Sequence, residues 1–155
     1  EQMPVNPVLP ANTPILRALA LPPVYSVTNA HAVGVDAELA RMARARPMLV
    51  QVREKSLSDS DRRDFARKVI DIVHGYGGYV LLNGNADDAL AMGADGVHLT
   101  SNALMACDQR PDLPLVFASC HTAAELARAS ALGLDAAVLG SVNATPTHPD
   151  QFPLG

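Results

Sequence analysis

Short apolar runs alternate along this chain with longer stretches in which apolar residues recur at helical spacing. The runs Val24–Thr28, Met48–Glu54, Tyr79–Asn83, Gly96–Thr100, Leu113–Cys120 and Ala136–Val142 predict six strands. Five helices are predicted between them: Val35–Arg46, Ser58 to about His74, Ala86–Met92, Asn102–Cys107 and Thr122–Leu132. Pro47 stops the first helix. Ser58 reads as an N-cap, with Asp61 placing negative charge near the helix start. Thr122 and Glu125 have capping-box spacing. Gly93 and Gly133 end the helices before them.

The strands are short and apolar on both faces, as strands buried in a parallel sheet are. Strict alternation with helices implies crossover connections and an α/β fold. Six such units suit an open doubly wound sheet or most of an eight-unit (βα) barrel. The first strand-to-helix turn has no GxGxxG pattern, which counts against a dinucleotide fold.

At 155 residues the chain has the size of one domain. Residues 1–22 contain Pro4, Pro7, Pro10, Pro14 and Pro22, and read as an extended linker with one short helical turn at Ile15–Leu19. The folded domain is expected over residues 23–155. The first residue is Glu1, not Met, which reads as a processed or excised chain with another domain upstream.

The core is aliphatic, because the chain has no Trp and only three Tyr and three Phe. A net charge of -4 without a basic stripe speaks against nucleic acid as a partner. No apolar run approaches the ~18–20 residues that span a bilayer. Cys107 and Cys120 lie in no CxxC motif and read as free thiols of a reducing cytoplasm.

Polar residues gather at the C-terminal ends of the predicted strands. Alternation places Gln51, Arg53 and Lys55 on one face of the second strand, with Val50 and Val52 on the other. The third strand ends at Asn83. The fourth puts His98 and Thr100 on one face. The fifth ends with Ser119 and His121, and Thr145 and Thr147 follow the sixth. Ligands of parallel α/β sheets bind at this end. Arg supplies a planar fork for phosphate, and Lys a point charge. Read from the residues alone, His98, His121 and Asn83 are equally open to core, surface or turn roles. The strand ends offer amides, hydroxyls and imidazoles rather than the carboxylates Mg²⁺ prefers, and HxH and HExxH spacings are absent.

Several of these segments resemble the thiamine phosphate synthase/TenI family. Gln51-Val52-Arg53-Glu54-Lys55 is similar to its Q-x-R-x-K signature. Gly93-Ala94-Asp95-Gly96-Val97-His98-Leu99 is similar to its G-A-D-G-V-H-L strand. Ser119-Cys120-His121-Thr122, Gly133-Leu134-Asp135, Leu139-Gly140 and Thr145-Pro146-Thr147 follow in the family's order. The resemblance implies a TIM-like (βα) barrel, here reaching about six of eight units, with a second copy or a further segment needed to cover its open edges.

It also implies roles. Gln51, Arg53, Lys55, Asn83 and His98 would hold a pyrimidine and its phosphates. Ser119 would bind an anion, and Thr145 and Thr147 a thiazole phosphate. His121 would be the acid/base of a metal-free, TenI-type thiazole tautomerase. The family's Mg²⁺-binding Asp positions read Gly84 and Ala103, and its Lys after T-P-T reads His148, so no metal site is expected unless the chain is an Mg²⁺-dependent synthase. The segment Leu9–Leu16 resembles the junction that follows a MutT/Nudix hydrolase domain in fused proteins, which leaves a non-catalytic accessory role as a third reading.

Overall fold

A computed structural model describes residues 24–139. Within them, β1 (Ser26–Val27), α1 (Ala30–Val33), α2 (Val35–Ala45), β2 (Leu49–Val52), α3 (Asp59–Gly75) and β3 (Tyr79–Gly84) come first. They are followed by α4 (Ala86–Met92), β4 (Gly96–Leu99), α5 (Ser101–Ala106), β5 (Leu115–Cys120), α6 (Ala123–Leu132) and β6 (Ala136–Leu139). The linker reading of residues 1–22 lies outside this range, as does the end of the sixth predicted strand.

All six strands are parallel and stand in sequence order, β1-β2-β3-β4-β5-β6. This is the curled α/β wall of a TIM-like barrel. Its two faces carry separate apolar clusters. The outer one packs Val50, Val52, Leu82, Val97, Val116 and Ala118 under the helices, with Phe65, Val69 and Val73 of α3 pressed against them. The inner one is small: Leu49, Leu81, Leu115 and Phe117, flanked by Tyr25 and Ala136. Val27 and Val138 share the inner face with Tyr25 and Ala136 by alternation, yet both are exposed, because β1 and β6 have a strand neighbour on one side only among the described residues.

Local signals placed most boundaries. The Ser58 hydroxyl accepts from the Asp61 N–H, and Gly93 and Gly133 take left-handed conformations at the ends of α4 and α6. Three details differ from expectation. α1 was not foreseen: four residues are too few for a periodic signal, and its N-terminus is held by distant carboxylates. α5 begins at Ser101, one residue before the predicted start at Asn102, and is capped by the Thr100 hydroxyl. β2 closes at Val52, so Arg53 and Lys55 follow the strand.

One device occurs twice. After the left-handed Gly93, Asp95 donates its N–H to the Val80 carbonyl and accepts the Val80 N–H on Oδ2 at 2.7 Å. After Gly133, Asp135 does the same with Val116, at 2.8 Å. Each Gly-x-Asp turn staples an incoming strand to its predecessor, and each carboxylate has a side-chain partner: the His74 imidazole for Asp95, the Arg110 guanidinium for Asp135. The Asp135 side chain is fully buried, whereas that of Asp95 is 24% exposed. Asp135→Ala should therefore cost about 3 kcal/mol, by stranding the Val116 N–H and breaking a buried ion pair. Asp95→Ala should cost about 1 kcal/mol, because water can reach its partners. Urea unfolding of the two variants checks both the sizes and their order.

Candidate functional site

The inner face changes character toward the strands' C-terminal ends. Above the small apolar layer lie two polar groups of side chains that hydrogen-bond across strands. Asn83 Nδ2 donates to Gln51 Oε1 at 2.9 Å, joining β3 to β2. His98 on β4 has Tyr25 Oη 2.8 Å from Nδ1 and Ser119 Oγ 2.8 Å from Nε2, joining the approach to β1, β4 and β5. The imidazole stacks on the Tyr25 ring, and Phe117 meets both edge-on. The Gln51 side chain also touches the phenol.

Register explains the gathering. Asn83 pairs with His98, and His98 with Phe117, so these side chains sit at one level of the wall; Ser119 lies two residues further along β5. Gln51 and His98 are buried polar groups, and each has a partner, as burial requires.

Burial, with the nearby positive charge of Arg53, pushes the His98 pKa down to about 4. The ring is thus neutral near pH 7, with one donor and one acceptor nitrogen matched to two hydroxyls. Burial also pushes the Tyr25 phenol up, opposed weakly by Gln51, so it remains a hydroxyl. Because the folded state resists protonation of His98, the unfolded state binds the extra proton between the ordinary histidine value and about 4. Stability is full above about pH 6.5, falls as pH drops through that window, and levels off below about 4, by about 3 kcal/mol in all. Denaturation midpoints measured across the window for the parent chain and His98→Gln test this; the variant should lose most of the slope.

The other predicted residues are spread around this core. Arg53 is exposed at the mouth, close enough to His98 to act on it electrostatically, and its N–H donates to the Thr28 hydroxyl. Lys55 is exposed in the β2–α3 loop. Hence Gln51, Arg53 and Lys55 do not form one buried strand face: only Gln51 lies in the strand. His121 is exposed in the turn between β5 and α6. Its backbone N–H donates to Glu125 Oε1 at 2.5 Å, while Thr122 Oγ1 accepts from the Glu125 N–H. The expected capping box therefore closes one residue early, on His121 instead of Thr122. Ser101 Oγ lies 3.3 Å from both Glu125 Oε1 and the Ser119 carbonyl, linking the β4 and β5 ends. Thr145 and Thr147 lie outside the described residues.

Sequence reasoning missed three groups. Tyr25 was read only as part of an apolar run. Glu54, inside the Gln51–Lys55 segment, is buried and accepts the N–H groups of Ala30 and His31 at the start of α1. Glu38 is buried beside it, accepts the Asn29 N–H, and pairs with Arg41, which holds its carboxyl below the usual range. Apart from the helical spacing of Glu38 and Arg41, no local pattern announces these contacts.

Residues 24–155 match the family described as thiamine monophosphate synthase. The chain belongs to that family. A thiamine-phosphate synthase of Gloeobacter violaceus is 36% identical over 141 residues, covering 88% of this chain and 41% of the relative. One from Methanoculleus marisnigri is 35% identical over 120 residues, covering 75% of this chain and 57% of that protein. The chain thus spans about half the length of these relatives. Among solved structures, a thiamine phosphate pyrophosphorylase from Pyrococcus furiosus is similar in fold, with TM-score 0.57 and 22% identity over 74% of this chain and 59% of that one.

The family resemblance brings Mg²⁺ into question, and the described residues do not fit it. Gly84, at one expected Asp position, has φ of +136°, a backbone a carboxylate-bearing residue enters only with strain. The second position, Ala103, lies within α5. No group of three or more His, Cys, Asp or Glu among the described residues could hold a metal ion. No helix among them is long and apolar enough to cross a membrane.

Proposed function

We propose that this thiamine monophosphate synthase family chain binds a phosphorylated thiazole or pyrimidine at its barrel mouth and acts there by metal-free proton transfer of the thiazole-tautomerase type. The observation that carries the reading is the inner-face polar set Gln51–Asn83 and Tyr25–His98–Ser119. It is neutral, hydrogen-bonded and built on strands β2 to β5 and the approach to β1, so it can present amide and hydroxyl groups to a heterocycle without rearranging. Arg53 and Lys55 at the exposed rim supply positive charge for a phosphate, and the family resemblance assigns Thr145 and Thr147, which lie outside the described residues, to a thiazole phosphate. His121, in the turn after β5, serves as acid/base, a task suited to imidazole.

Calorimetric titration with a thiazole phosphate tests this directly. Saturable binding should occur with EDTA present and should not strengthen on adding Mg²⁺. No binding by the chain, or by the longer protein containing it, at millimolar concentration overturns the reading.

The names of the sequence relatives favour a second reading, an Mg²⁺-dependent synthase joining a pyrimidine pyrophosphate to a thiazole phosphate. Thiamine phosphate formed in a coupled assay, absent without Mg²⁺, would establish it. The proline-rich start supports placing the domain after a MutT/Nudix hydrolase in a cytoplasmic fusion, where it would serve as an accessory domain. The full-length gene product decides that point, and sedimentation decides whether two copies associate.

A further inference from the structure

The family resemblance gives Tyr25 no role, yet it stands in the middle of the polar line at the barrel mouth. It lies just before β1, with its phenol oxygen 2.8 Å from His98 Nδ1. Its ring stacks on the imidazole and meets Phe117 edge-on, so the hydroxyl is held in one place. On the far side of the imidazole, Nε2 is 2.8 Å from Ser119 Oγ.

Each link in this line has a direction. Asn83 Nδ2 donates to Gln51 Oε1, which leaves the Gln51 amide N–H groups to face the phenol oxygen. That oxygen accepts from Gln51, and its own proton then needs an acceptor. His98 Nδ1 is the acceptor within reach. A phenol is also a stronger donor than a neutral imidazole N–H, and an imidazole nitrogen a stronger acceptor than a phenol oxygen. Nδ1 therefore accepts. The buried ring is neutral near pH 7, so its single proton sits on Nε2. Nε2 donates to Ser119 Oγ, and the Ser119 proton is left over. Ser119 is only half-buried, which lets that O–H meet a ligand.

We propose that Tyr25 is a positioning residue: it holds His98 in the Nε2–H tautomer and so makes Ser119 a hydrogen-bond donor to the ligand. The ligand atom that meets Ser119 is then an acceptor, as a phosphate oxygen is. The same polarity rules out Ser119 and His98 as a nucleophile with its base, because that pair needs a bare Nε2. The contact with a ligand rests on the function proposed above, whereas the tautomer does not.

NMR of the imidazole nitrogens in the isotopically labelled full chain, at pH 7 without ligand, reads the tautomer. The His98 Nδ1 signal should fall in the unprotonated range and Nε2 in the protonated range. Tyr25→Phe keeps the stacked ring and removes the hydroxyl, so the two signals should move toward each other as the second tautomer becomes populated. In calorimetry with a thiazole phosphate, Tyr25→Phe and Ser119→Ala should both weaken binding, the latter by about tenfold, the worth of one hydrogen bond. The double variant should bind no worse than Ser119→Ala, because Tyr25 acts through Ser119. A protonated Nδ1 in the parent chain overturns the inference. Parent-like signals in Tyr25→Phe, or additive losses in the double variant, overturn the role of Tyr25. If the parent chain binds no thiazole phosphate, the proposed function fails, and the ring-nitrogen signals of the parent and Tyr25→Phe alone decide whether Tyr25 sets the tautomer.

Discussion

Gly96→Ala should leave the chain without a cooperative unfolding transition. A Cβ at this position would lie 2.1 Å from the Leu115 carbonyl oxygen and 2.7 Å from the Leu115 Cβ. Neither neighbour can swing aside, since the oxygen belongs to the backbone of β5. Gly96 is paired to Leu81 on one side and Leu115 on the other, in a strand with neighbours on both flanks. Relief requires prising β4 from β5 and breaking their ladder, which exceeds the ~1–3 kcal/mol usual for overpacking. Gly93→Ala provides the contrast. Gly93 has φ of +74° with open space around its Cβ position, so alanine there should cost only about 1 kcal/mol of backbone strain. Far-ultraviolet circular dichroism with thermal melts compares the two, and a parent-like melt for Gly96→Ala would contradict the β4–β5 packing described above.

His121→Ala should reduce proton exchange at a bound thiazole phosphate by about 10²–10⁴-fold, the usual worth of a positioned acid/base. Affinity for the same ligand should change little. The substitution is clean for a structural reason. Glu125 holds the His121 backbone N–H, not its ring, and the Thr122 cap is independent of the side chain. The turn should therefore survive the loss of the imidazole. Hydrogen–deuterium exchange into the ligand, followed by NMR alongside a binding titration, separates the outcomes. Lost affinity would make His121 a binding residue, and unchanged exchange would place the acid/base elsewhere.

The site was legible in part. The strand ends pointed to Gln51, Asn83, His98 and Ser119, and the folded chain brings these four to the barrel's inner face. They were readable because alternation along a strand is a short-range rule, and polar residues within apolar runs stand out against it. The same rule failed for Arg53 and Lys55. It assumes the strand continues, whereas β2 ends at Val52 and the chain turns to let Glu54 cap α1. Tyr25 escaped notice because an aromatic residue in an apolar run looks like core. Its hydroxyl acquires meaning from His98, 73 residues away.

The sequence by itself determined the βα rhythm, the helix caps at Ser58 and Thr122, the left-handed glycines and the family. These depend on periodicity and on contacts within a few residues, so they are written locally. Only the tertiary structure decided which charges are buried, how the polar groups connect across strands, and why Gly96 tolerates no side chain. Each depends on what distant segments bring alongside: Val116 against Asp135, Leu115 against Gly96, Tyr25 against His98. Such pairings exist only once the sheet has formed, because strand register, not proximity along the chain, places them within hydrogen-bonding distance.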